Sequence, residues 1–188
     1  RVFREALSGL QRFHIAFSVK SNPNLAVLRV LKGEGYVVDV TSEGELLRAL
    51  AAGIAGEDLV FSGVGKTGRE LNAALDAGLG QFNLESEEEG VELAAIAVAR
   101  GVRAVCALRV NPDVDAGTHE KISTGKAENK FGVPYDQAAA IYARLAALPP
   151  RQPQDEANHL GHSLVMFLRD RLIDLRRRKQ RPRQRWIF

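Results

Sequence analysis

The stretch at positions 36–54, YVVDVTSEGELLRALAAGI, holds one complete structural unit. Four of its first five residues are apolar, three of them β-branched valine, the composition of a buried strand. Ser42 with Glu45 three positions later reads as a capping box, which starts a helix. The helical stretch runs over 42–54. It closes on Ala-Ala-Gly, with Gly53 where a C-terminal cap needs a left-handed residue.

The same order repeats on both sides. Strand-like runs occupy 13–19, 36–40, 58–64, 80–86 and 103–110. Helical stretches occupy 24–35, 42–54, 67–79, 86–101 and 134–148. Ser86 with Glu89 reads as a second capping box, and Asp76-Ala77-Gly78 and Ala99-Arg100-Gly101 as further caps. Strands that are apolar throughout imply burial on both faces. Repeated β-then-α units with short connections predict a parallel α/β sheet covered by helices. An open doubly wound sheet and a (β/α)8 barrel both satisfy this pattern. A full barrel needs about 250 residues, so this sequence holds only part of one.

The pattern breaks at Pro149. Residues 149–188 form a basic tail, with a predicted helix over 164–180. The net charge of +3 is divided unevenly. Residues 1–150 carry 16 Lys and Arg against 19 Asp and Glu, whereas 151–188 carry 10 against 4. A basic tail on an acidic body is poor grounds for a nucleic-acid-binding protein. At 45% hydrophobic and 26% charged residues the composition is that of a globular chain. No apolar run approaches the length of a membrane span. The single Cys106 cannot form an internal disulfide, which fits a reducing, cytoplasmic compartment.

Four side chains stand out as candidate site residues. Lys20 ends the apolar run of AFSVKSNPN (16–24). In parallel α/β folds strand C-termini face the ligand site, and a desolvated lysine amine can attack a carbonyl. Asp39 is a carboxylate inside an apolar strand, where an acid needs a partner; Lys20 at the neighbouring strand mouth is the expected one. Glu45 reads more simply as a helix-cap residue. Arg109 ends the fifth strand, where a guanidinium suits a phosphate or carboxylate. Three other features read as structural. SGVGKT (62–67) has Val60 where a phosphate-binding loop needs its first glycine, so it is a glycine-rich turn. His119 lacks a second ligand at metal spacing, and no metal is expected. Cys106 reads as a small core residue.

Taken together, FSVKSNPN, VDVTSEGELLRAL, LVFSGVGKT, FNLES, LRVNPDVDAGTHEKISTG and ENKFGVPYDQA resemble the fold-type III pyridoxal-phosphate decarboxylases. Within them the resemblance is to the diaminopimelate decarboxylases, over about residues 13–148. It implies an N-terminal (β/α)8 barrel of the alanine-racemase type, over 1–148 here, and a C-terminal β-domain that is absent. It implies pyridoxal 5'-phosphate as cofactor, held covalently by Lys20, with Asp39, Glu45 and Arg109 around it. The implied reaction converts meso-diaminopimelate to L-lysine and CO2, as a carboxy-lyase of lysine biosynthesis. The family works as a homodimer, without membrane or nucleic acid. Its HIGSQ-like histidine motif has only a loose echo in NHLGHSL (158–164), so neither His159 nor His162 inherits that role. The change at Pro149 reads as a truncation with an out-of-frame tail. Two rival readings stand beside this one: an ornithine- or arginine-type decarboxylase of the same fold, and a non-catalytic fragment with a basic interaction tail.

Overall fold

The computed structural model describes residues 2–9, 13–111, 131–148, 164–169 and 185–187. A short helix α1 (Val2–Ala6) leads into strand β1 (Phe13–Ser18). Then follow α2 (Leu25–Gly33), β2 (Val37–Val40), α3 (Glu43–Ala51), β3 (Leu59–Phe61), α4 (Gly68–Asp76), β4 (Gln81–Leu84), α5 (Glu87–Ala99) and β5 (Ala104–Asn111). Beyond 130 come β6 (Val133–Pro134), α6 (Tyr135–Ala146), β7 (Leu164–Arg169) and β8 (Arg185–Ile187).

Strands β1 to β5 lie side by side in chain order, and every pair is parallel. A right-handed crossover between adjacent parallel strands puts its helix on one fixed face. Because the order never reverses from β1 to β5, α2 to α5 all cover the same face. A doubly wound sheet needs a reversal, so the sheet is of the barrel type: a curled part of a (β/α)8 barrel. The strand β8 extends it beyond β1, and β6 and β7 both pair with β5.

The helix-facing core explains why these segments hold together. Leu28, Leu46, Ala49, Leu71, Ala74, Leu93 and Ala97 from the helices meet Val38, Val40, Leu59, Phe61, Phe82, Leu84, Cys106 and Leu108 from the strands. Each fully buried Leu or Phe contributes about 1.5–3 kcal/mol relative to exposure. Burial pushes the Cys106 thiol pKa well up, so it stays a neutral core group, as its apolar neighbours imply.

The helix ends follow one repeated design. At Gly53 the backbone turns left-handed (φ +84), Gly53 N–H donates to Leu50 O at 2.8 Å and Ile54 N–H reaches Ala49 O at 3.1 Å. This pair of bonds is the Schellman closure, and it recurs at the expected Gly78 and Gly101. The starts correct the expectation in part. Ser42 and Ser86 each accept a bond from the backbone N–H three residues on, at 3.3 and 3.2 Å. The reciprocal carboxylates go elsewhere: Glu45 reaches Thr41 and Glu89 reaches Lys66. The complete capping box belongs to Thr67 and Glu70 on α4, and those hydrogen bonds hold the Glu70 carboxyl below its ordinary 4.5. Its T-x-x-E signature was legible in the sequence.

A second correction concerns the tail. Of the helix expected over 164–180, Leu164–Arg169 forms a strand instead, paired residue for residue with Ala104–Arg109. The run LVMFLR is apolar and β-prone, and pairing satisfies backbone groups that β5 would otherwise leave bare at its edge. Residues 170–184 of the basic tail, and His119, His159 and His162, lie outside the described residues.

Candidate active site

Strand register decides which side chains meet. Ser18 lies opposite Asp39, Asp39 opposite Val60, Val60 opposite Gln81, and Asn83 opposite Ala107. Side chains alternate along a strand. Ser18, Asp39, Ser62, Gln81, Asn83, Glu85 and Arg109 therefore share the face turned away from the helices. The strands are buried on both faces, as expected. The inner face, however, is polar: Asp39, Ser62, Gln81, Asn83 and Glu85 are each less than 9% exposed. In QFNLE the period-2 alternation that signals this face was present but short.

These polar groups form one connected chain. Gln81 Nε2 donates to Asn83 Oδ1 at 2.8 Å. Asn83 Nδ2 donates to Ser62 Oγ at 2.7 Å. The Ser62 hydroxyl donates to Asp39 Oδ1, and the Ser18 hydroxyl donates to Asp39 Oδ2 at 3.3 Å. A buried carboxylate with hydroxyl donors on both oxygens is the usual way such a charge is accommodated. The expected Lys20–Asp39 bond is not formed; two serines take that place.

Lys20 lies in a 3-10 turn (Val19–Ser21) directly after β1, and its side chain is exposed. Among the described residues it has no hydrogen-bond or ion-pair partner. Its position is set by the turn Asn22-Pro23-Asn24. The Asn22 side chain accepts from Asn24 N–H at 3.1 Å, and the Asn24 side chain caps α2 by accepting from Ala26 N–H at 2.8 Å. Pro23 between them cannot extend the strand.

The other two candidates sit on the same sheet edge. Glu45 accepts from Thr41 N–H at 2.7 Å and from the Thr41 hydroxyl at 3.1 Å, which holds its carboxylate over the end of β2. Arg109 Nη1 donates to Glu85 at 2.9 and 3.3 Å, and its guanidinium lies 5.0 Å from the Phe131 ring centre. Glu85, which the sequence reading did not single out, also accepts from Gly132 N–H at 2.9 Å. It thus ties the ends of β4 and β5 to the start of β6. Among the described residues no cluster of ligands could hold a metal ion.

Lys66 of the Gly-Lys-Thr turn is buried, and its amine makes three short contacts. Lys66 Nζ donates to Gly63 O at 2.7 Å, Asn83 O at 2.7 Å and Glu89 Oε1 at 2.6 Å. It sits 5.7 Å from the Phe61 ring centre. Burial raises the Glu89 carboxyl pKa, and the neighbouring Lys66 charge opposes that rise. The turn is structural, in line with the missing phosphate-loop glycine.

Comparison with known proteins bears on this arrangement. The diaminopimelate decarboxylases of Zymomonas mobilis and Pseudomonas aeruginosa are 47% and 48% identical over 167 residues, covering 88% and 89% of this chain. The chain spans 40% of the length of each of those relatives. The crystal structure of diaminopimelate decarboxylase from Helicobacter pylori complexed with L-lysine superposes with a TM-score of 0.72 at 39% identity, over 76% of this chain and 36% of that one. The M. jannaschii enzyme, also in complex with L-lysine, gives 0.70 at 31% identity, over 88% of this chain and 36% of that one. The model of the pyridoxal-dependent decarboxylase family's pyridoxal binding domain matches residues 1–149. A singly wound parallel sheet with an exposed lysine amine at the mouth of its first strand is thus found in a chain that belongs to the pyridoxal-dependent decarboxylases.

Proposed function

We propose that residues 1–148 form the cofactor-bearing barrel portion of a carboxy-lyase that acts on meso-diaminopimelate. The observation that carries this reading is Lys20: an exposed primary amine at a strand C-terminus, with no partner among the described residues, on the edge where Asp39, Glu45 and Arg109 also lie. The donor set suits pyridoxal phosphate. An amine for an aldehyde, a guanidinium for an anion and carboxylates for a cationic ring stand on one edge of one sheet. Bound there, the cofactor supplies an aldehyde that captures amines and a protonated ring that takes up the electron pair left when a carboxylate departs as CO2.

The chain's own residues prepare that chemistry. Lys20 offers the amine that would hold the cofactor. Asp39, held by two hydroxyl donors, turns its carboxyl group toward the mouth. Glu45 is held by Thr41 at the next strand end and adds a second carboxylate. Arg109, fixed by Glu85 and Phe131, presents positive charge to an anionic group. The net reaction exchanges one carboxylate for one proton at the α-carbon, giving L-lysine and CO2. The substrate follows from the relatives named diaminopimelate decarboxylase. Homodimeric assembly and a cytoplasmic location belong to the same proposal. No described helix is long and apolar enough to cross a membrane.

The test is direct. The purified chain is mixed with pyridoxal phosphate, reduced with borohydride and mapped by mass spectrometry. Label concentrated on Lys20 is the expected result; label spread over many lysines, or none, overturns the cofactor site. Substrate class is then read by protection: meso-diaminopimelate should displace label from Lys20 at lower concentration than ornithine or arginine. The reverse order overturns the substrate assignment.

A further inference from the structure

The polar chain on the inner face has a direction. Asn83 Oδ1 accepts from Gln81, so Asn83 Nδ2 is the atom that points at Ser62. That N–H occupies a lone pair of Ser62 Oγ, and the serine proton is left to point at Asp39 Oδ1. Every link donates toward the carboxylate. Turning the Asn83 amide over would break both of its bonds at once. It would set its carbonyl against Ser62, drawing the serine proton away from Asp39. The backbone under this chain is clamped from the other side, because Lys66 Nζ grips the carbonyls of Gly63 and Asn83. Gly63 adjoins Ser62, just past β3, and Asn83 carries the amide on β4.

We infer that Gln81, Asn83 and Ser62 form a one-way donor relay whose role is to orient and hold the Asp39 carboxyl group as an acceptor at the mouth of the sheet. None of the three need touch the cofactor or substrate; they are positioning residues that act through Asp39. Asn83 is the hub, since its side chain passes the direction on while its carbonyl is held by Lys66. The functional consequence rests on the reading of Lys20 and Asp39 as the cofactor site; the relay itself does not.

Three substitutions at two positions separate direction from packing. Asn83→Asp keeps the shape but puts an acceptor where Ser62 meets a donor, so the serine proton turns away from Asp39. Ser62→Ala removes the donor outright, and Ser62→Thr keeps it. The first readout needs no cofactor: the 13C shift of the Asp39 carboxyl in the cofactor-free chain at one neutral pH. The expected result is a displaced signal in N83D and S62A, with S62T close to the parent. An unmoved signal in N83D or S62A overturns the relay. The second readout is the pyridoxal phosphate concentration that half-labels Lys20. It should rise about tenfold in N83D and S62A, the loss expected for one hydrogen bond to a charged group. The double variant should rise no further, because both changes break one chain. A double variant equal to the sum of the singles overturns the shared path. Urea midpoints of the cofactor-free variants check that the fold survives. If the parent chain takes no label on Lys20, the cofactor reading fails while the carboxyl shift still decides the relay.

Discussion

Two strand-to-helix turns of this protein each contain a lysine, and they treat it in opposite ways. After β1, Lys20 comes just past the strand, exposed and without a partner among the described residues, with Asn24 capping α2 further on. After β3, Lys66 stands just before the cap Thr67 of α4, buried against Glu89 and two carbonyls. Both lysines follow apolar runs, but only the Lys20 turn reads as a candidate site in the sequence; the Gly-Lys-Thr turn lacks the first glycine of a phosphate loop. The difference teaches that a lysine next to the strand end faces the mouth, whereas one next to the helix cap can be folded beneath the turn. In the first place the amine is available for chemistry. In the second it is a structural tie between β3, β4 and α5.

The largest expected effect sharpens that contrast. Lys66→Met strands Glu89 in a buried site and should cost about 3–5 kcal/mol of stability, measured by urea unfolding. Adding Glu89→Leu should recover most of the loss, because an apolar pair needs no desolvated charge. If K66M is as stable as the parent, the two turns do not differ as described. Next come the caps. Thr67→Ala removes a full capping box and Asn24→Ala a simple one, so each should cost about 1 kcal/mol, with Thr67 the larger. A much greater loss at Asn24 would mean that the β1 turn is itself a stability element. The smallest effect on stability should be Lys20→Ala, less than about 0.5 kcal/mol, yet it should abolish borohydride-trapped pyridoxal label. A K20A chain that still takes label at one other lysine would transfer the functional role away from this turn.

Acid and base should also separate the neighbours of Lys66. Glu89 has a raised pKa in the fold, so the native state holds its proton over a range where the unfolded chain has lost it. Its contribution is therefore full below the ordinary 4.5 and falls as pH rises through the raised value. Glu70 is lowered, so its contribution is full above 4.5 and is lost as pH falls toward the folded value. Urea midpoints followed across this range should lose the first slope in Glu89→Gln and the second in Glu70→Gln. Identical profiles in both variants would contradict the opposite environments assigned to them.

Much of the fold was legible in local patterns because local physics produces it. The five strands from β1 to β5, the helices between them and the Schellman glycines at 53, 78 and 101 match the sequence reading closely. Apolar runs, cap residues and left-handed glycines act within one turn of the chain. The errors lie where partners are distant. Glu45 and Glu89 looked like cap carboxylates, but Thr41 and Lys66 compete for them. Leu164–Arg169 looked helical, yet it forms a strand on β5, because an open sheet edge outweighs a weak helical pattern. Lys20, Asp39 and Arg109 became candidates by residue type and place in a strand, and Glu45 by its cap spacing and the family resemblance. Ser62, Asn83 and Glu85 were passed over, since a serine or asparagine in a short strand has no chemical signature until its neighbours are known.

By itself, then, the sequence determined the βα units, their order and the lysine at the first strand's end, since each depends on residues close in the chain. Only the tertiary structure decided that the strands pair in chain order, so that all crossover helices fall on one face. Only it could align Gln81, Asn83, Ser62 and Asp39 from three strands into a single donor chain. Parallel register is set by packing between segments about twenty residues apart, and no local signal carries it.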